Sequence, residues 1–191
     1  MLYLILGLFL FLSVHSFSMF RGYRAAVIGR LGIGFYKVSY AAKAAIGLVL
    51  IIYGFHCYRQ AGEILIWAPP SWLHYVTLVL MWCAVVSLFA VNKAPGRIAG
   101  WLHHPMVTAV KFWALAHLLS NGDLGGIILF GSFLAWAVID RISLKKRGDR
   151  GAASQPKFTQ ADGQAVALGS AIFLVIIFLH PYLFGVSAFN W

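Results

Sequence analysis

Across 191 residues the chain is 61% hydrophobic and only 10% charged, with 15 lysines and arginines against five acids and a net charge of +10. A water-soluble domain carries about 25% charged residues, so this chain has too little polar surface to face water, and lipid is the solvent that fits. The basic excess falls in short clusters between apolar runs, which points to membrane topology and excludes nucleic acid as a partner.

The first apolar run covers 1–20. It has no basic leading segment and no A-x-A cleavage pattern, so it reads as a membrane helix and not as a signal peptide. The basic, glycine-bearing stretch 21–40 places Ile28, Leu31, Phe35 and Val38 at near-helical spacing, the pattern of an interfacial helix. Further apolar runs cover 40–58, 72–91, 98–120, 124–142 and 165–184, and the fourth of the six contains His103, His104, Pro105 and Lys111. The polar stretch 148–164 reads as a mobile loop.

A bilayer core of roughly 30 Å needs about 20 apolar residues per helix. The reading is therefore an all-α, polytopic helical membrane protein of about six transmembrane helices, one domain over 1–191. Arg21, Arg24, Arg30 and Lys37 follow the first run, Lys93 and Arg97 the third, and Lys145, Lys146, Arg147, Arg150 and Lys157 the fifth. Alternate loops are thus basic. By the positive-inside rule they face the cytoplasm, with both termini outside. Gly122 and Gly126 form a GxxxG that favours close helix packing. Cys57 and Cys83 lie in apolar runs without a CxxC and read as free thiols.

Polar groups at membrane depth need a reason. Here they are mainly histidines: His15 in "SVHSFS", His104 in "WLHHPM", His117 in "FWALAHLLSNGD" and His180 in "FLHPYLFG". A single such ring needs no more than a hydrogen bond to the next helix. Four in one small chain point to a bound metal, and two neutral imidazoles can hold a heme iron from opposite faces. Zinc would favour thiolate or carboxylate ligands as well, which are scarce here. At 100° per residue His117 shares a face with Trp113, Ala114, Ser120 and Asn121, while His104, Thr108 and Lys111 form another. Lys111, near mid-membrane, calls for a partner such as Asp123, Asp140, a carbonyl or a ligand carboxylate.

At "LFLFLSVHSFSMFR", "HHPMVTAVKFWALAHLLSNGDLGGIILFGSFLAWAVID" and "LHPYLFGVSAFNW" the chain resembles the NnrU family, over nearly its whole length. The resemblance implies a polytopic membrane protein of bacterial denitrification and nitrogen-oxide metabolism. The family includes the plastid zeta-carotene isomerase, which binds heme b and isomerises a cis double bond. What this implies here is heme b held by His15, in the "VHS" motif, and His117, in the "LAH" motif. Ala114 stands where the isomerase has a cysteine. Counting along the helices separates His15 and His117 by roughly 20 Å in depth, so His15 with His104, and His117 with His180, are the rival ligand pairs. An isoprenylcysteine-type methyltransferase would need arginine before its His-Pro, where this chain has His103, and acids nearby, where its only glutamate is Glu63.

The expected function is a heme b-binding membrane protein, either an isomerase of a polyene or a factor supporting nitrite and nitric oxide respiration. Its expected partners are the lipid bilayer and a hydrophobic small-molecule substrate or a respiratory reductase. The alternative is a non-enzymatic membrane scaffold or heme-handling assembly factor.

Overall fold

The computed structural model describes residues 1–91 and 95–188. Lys93 therefore lies outside the described residues. The chain is all-helical: α1 Leu2–Phe17, α2 Arg21–Gln60, α3 Leu73–Phe89, α4 Arg97–Leu102, α5 Pro105–Ser120, α6 Leu124–Lys146 and α7 Gln160–Phe184. Among the described residues the extended backbone amounts to one isolated bridge, Leu65 with Asp123.

Two boundaries differ from the expected ones. The stretch 21–40 does not end before a membrane helix; it runs on into it as α2, interrupted where Gly32 leaves helical geometry at φ 83°, ψ 155°. A positive φ there is open to glycine at no steric cost. The run 98–120 is two helices. Pro105 forces His104 out of the α region and opens α5 at N1, and His103 takes φ 60° to make the turn.

The six expected spans are not all long enough. Three helices, α2, α6 and α7, are long and apolar enough to cross a membrane. The other apolar helices, α1 and α3, have 16 and 17 residues, and α5 has 16. At 1.5 Å per residue these reach about 24–26 Å, short of a roughly 30 Å hydrocarbon core.

Close packing starts with α1 against α2. A Cβ on Gly7 would lie 2.6 Å from the Ile51 amide nitrogen, one on Gly47 would lie 2.9 Å from that of Phe11, and one on Gly54 would overlap the Leu4 backbone. Small residues bring the two backbones together, as membrane helix pairs require when apolar burial cannot drive them. The GxxxG of Gly122 and Gly126 does not pack helices: Gly122 lies under Trp67 in the connection, and Gly126 N–H caps onto Asp123 Oδ1 at 2.8 Å. Beyond that pair, α6 lies beside α1 and α5, and α3 packs on both α5 and α7. The main apolar cluster joins Leu4, Leu8, Ile51, Ala114, Leu129 and Phe130.

Loops close the two ends of the bundle. At the basic end Arg147 Nη1 donates to Met19 O at 2.9 Å, and Arg21 pairs with Asp149 at 3.4 Å. The buried Asp162 accepts from the Arg97 and Ile98 amides at 3.0 and 2.7 Å, and from the Thr159 amide and hydroxyl at 2.7 and 3.0 Å. One carboxylate thus caps α7 and α4 together, where the amides of both helices lack helical acceptors. The stretch expected as a mobile loop docks as well, through the Ala152 amide on His103 O at 2.7 Å. At the other end Leu124 N–H donates to Ile64 O at 2.8 Å, and Arg59 donates to Phe184 O at 2.8 Å.

Candidate functional site

His15 lies one turn from the end of α1. Its Nδ1 is 2.7 Å from Phe11 O, its ring stacks on Phe11 at 4.1 Å, and the edges of Tyr40 and Trp136 close around it at 5.4 and 6.0 Å. His117 lies at the corresponding point of α5. Its Nδ1 is 2.8 Å from Trp113 O, and its ring stacks on Phe130 at 4.4 Å with Trp113 alongside at 5.3 Å.

A carbonyl oxygen can only accept, so in both histidines Nδ1 carries the proton. A neutral ring of that tautomer carries its lone pair on Nε2. Among the described residues neither Nε2 has a hydrogen-bond partner. A second-side hydrogen bond of this kind fixes tautomer and orientation in metal-ligating histidines.

Both rings lie against α6. A helical Cβ tilts toward its own helix N-terminus. α1 and α5 run in opposite directions, so each ring leans from its own end toward the middle of the bundle. His15 meets α6 at Trp136 and His117 meets it at Phe130. Six residues of helix make the axial offset roughly 9 Å, well below what counting along the helices gives. Phe133 fills the interval, 5.7 Å from Phe11 and 5.3 Å from Trp113. Ala114, fully buried, sits in the same cluster.

The rival histidines are placed differently. His104 caps the break before α5, and its Nε2 donates to Asp149 O at 3.2 Å, with Asp149 Oδ1 at 3.9 Å. That nitrogen is committed to a loop. His180 Nδ1 donates to Val186 O at 2.7 Å in the exposed end of α7. Its ring packs on Phe184, and it is near enough to His117 for the two to interact electrostatically. Lys111 does not find the expected acid: Asp123 caps α6, and among the described residues Lys111 forms no ion pair.

Two imidazoles are a donor set that a heme iron accepts. His15 stands against Phe11, Tyr40 and Trp136, and His117 against Trp113 and Phe130. No thiolate or carboxylate joins them, and the described residues hold no group of three metal-ligating side chains that would favour a different ion. Cys57 and Cys83 are free, as expected. The tautomers and the aromatic neighbours on α6 are the features that sequence reading missed; the phenylalanines and tryptophans of 113–136 were visible but carried no register.

A protein-family model described as NnrU protein matches residues 3–188. No curated protein and no solved structure matches the chain.

Proposed function

The chain belongs to the NnrU family, and on that premise we propose that it is a heme b-binding protein of the bacterial inner membrane, with His15 and His117 as the iron ligands. The observation that carries this reading is the shared hydrogen bond: both rings spend Nδ1 on the carbonyl four residues back, and Nε2 has no hydrogen-bond partner among the described residues. His104 lacks that arrangement.

Bound heme supplies a reversible one-electron couple and a Lewis-acidic iron. The chain's own residues hold and orient the ligands. Phe11 and Phe130 stack on the imidazoles and keep water from them. His15 and His117 would hold the iron, and Phe133 and Trp113 pack in the same aromatic cluster. We take all six long apolar segments as crossings, with shorter α1, α3 and α5 matched by local thinning of the bilayer. The basic loops then face the cytoplasm and both termini face outward.

By family resemblance the work done on the heme is isomerisation of a cis double bond in a polyene, or support of nitrite and nitric oxide reduction. An open groove of about 400 Å³ lies between α1 and α6, lined by Ile5, Leu8, Phe9, Leu12, Ser13 and Ser132 among others.

The test is the optical spectrum of the protein purified in detergent from heme-replete cells. The expected result is a Soret band with one b-type heme per chain. Colourless protein overturns the proposal.

A further inference from the structure

Buried polar atoms are nearly always hydrogen-bonded, so an exception asks for a cause. Two side-chain donors, Trp136 Nε1 and Arg147 Nε, are buried and find no acceptor among the described residues. Both are on α6. Eleven residues, three helical turns, separate them, so they share one face of that helix. Trp136 is the residue whose ring stands perpendicular to His15, and Tyr40 meets the same imidazole from α2. Arg147 spends one other nitrogen on Met19 O. An unsatisfied N–H therefore stands beside a histidine with a bare lone pair, and a guanidinium lies further along the same face. Asp140, one turn past Trp136, is the acid on this stripe, and Arg147 two turns beyond it is the matching cation.

An indole N–H only donates, so its missing partner is an acceptor. A charged acceptor gives the stronger bond, more so in an apolar wall. We propose that Trp136 Nε1–H donates to a carboxylate of the ligand that His15 coordinates. On the heme reading, from which this follows, that carboxylate is a propionate at the porphyrin edge. Trp136 is thus a positioning residue that sets which edge of the porphyrin faces the basic end of the bundle.

The experiment measures heme release from the purified holoprotein to an excess of an apo-globin, for wild type, Trp136→Phe and Trp82→Phe. Trp82 is the control, since its indole already donates to Ser170 at 2.9 Å. Trp136→Phe is expected to release heme about tenfold faster, the loss of one charge-assisted hydrogen bond, with an unmoved Soret maximum. Trp82→Phe is expected to match wild type. Heme dimethyl ester, which carries no carboxylate, is expected to leave both proteins at the same rate. The ligand-free Trp136→Phe chain is expected to melt no lower than wild type, because it loses no bond. Equal release of free-acid heme from Trp136→Phe and wild type overturns the proposal, and so does an ester that still distinguishes them. Wild type that takes up no heme removes the parent reading and this one together; a normal Soret band with no effect of Trp136 removes this one alone.

Discussion

The two sides of the Pro105 break make an instructive pair. His104 and His117 lie in one apolar run, 13 residues apart, and each is half-buried near the end of a short helical piece. His104 sits where Pro105 stops the backbone from being helical, so it has no carbonyl four residues back in the right place. Its ring turns to the loop and donates through Nε2 to Asp149 O. His117 sits inside a regular turn, donates through Nδ1 to Trp113 O, and keeps Nε2 unprotonated. The same side chain thus anchors a loop on one side of the break and hydrogen-bonds within its own helix on the other. The local backbone separates their roles.

The sharpest way to break this comparison is to remove the rings. His15→Ala and His117→Ala, made singly, are each expected to lower the heme retained through purification at least about tenfold, in line with losing a metal ligand and its orientation, whereas His104→Ala is expected to keep it. Heme lost from His104→Ala and kept in the other two would invert the assignment.

A second, smaller effect tests the loop side. Asp162→Ala leaves four donors of α4 and α7 without their acceptor, and a loss of about 3 kcal/mol in unfolding free energy is expected in detergent. Chemical denaturation measures it; a change below about 1 kcal/mol would mean the double cap is idle.

The same carboxylate gives the account a pH dependence. Burial pushes the Asp162 carboxyl up, but the amides of Ile98, Thr159 and Arg97 and the Thr159 hydroxyl outweigh it and hold the group below the usual carboxylate range. A depressed folded value means that the stabilisation is complete above the unfolded pKa and is lost as pH falls through the folded one. Acid melting curves should therefore be shallower in Asp162→Asn than in wild type. Parallel curves would place the acid sensitivity elsewhere.

The smallest expected effect is that of His104→Ala on stability, about 1 kcal/mol for one loop hydrogen bond. A loss of several kcal/mol would show that His104 anchors more than a loop.

Much of the fold was legible. The apolar runs marked the helices because in lipid every spanning backbone must satisfy itself, and the helix is one of the few structures that does. The break at Pro105 was written in "HHPM", yet an apolar count over 98–120 passes through a proline without noticing it. The extension of α2 back to Arg21 was hidden by its charge, since a basic stretch reads as a loop or interfacial piece while its backbone still hydrogen-bonds helically. The capping of α4 by Asp162 joins residues more than sixty positions apart, and no local pattern carries that.

For the site, the residue types were legible and their states were not. His15 and His117 were picked out by motif, but which nitrogen holds the proton depends on a carbonyl one turn back. Their approach also depends on the opposite directions of α1 and α5, which a sum of helix lengths does not include. Trp136 gave no signal at all, because an orphaned donor is a property of packing.

The most direct test of the central claim replaces the ring by a free one. In His117→Gly, purified without heme and reconstituted, added imidazole fills the place of the side chain and presents the same nitrogen. The account predicts that heme binding is weak without imidazole and returns, with the wild-type Soret position, as imidazole is titrated in. Full heme binding by His117→Gly before any imidazole is added would contradict it.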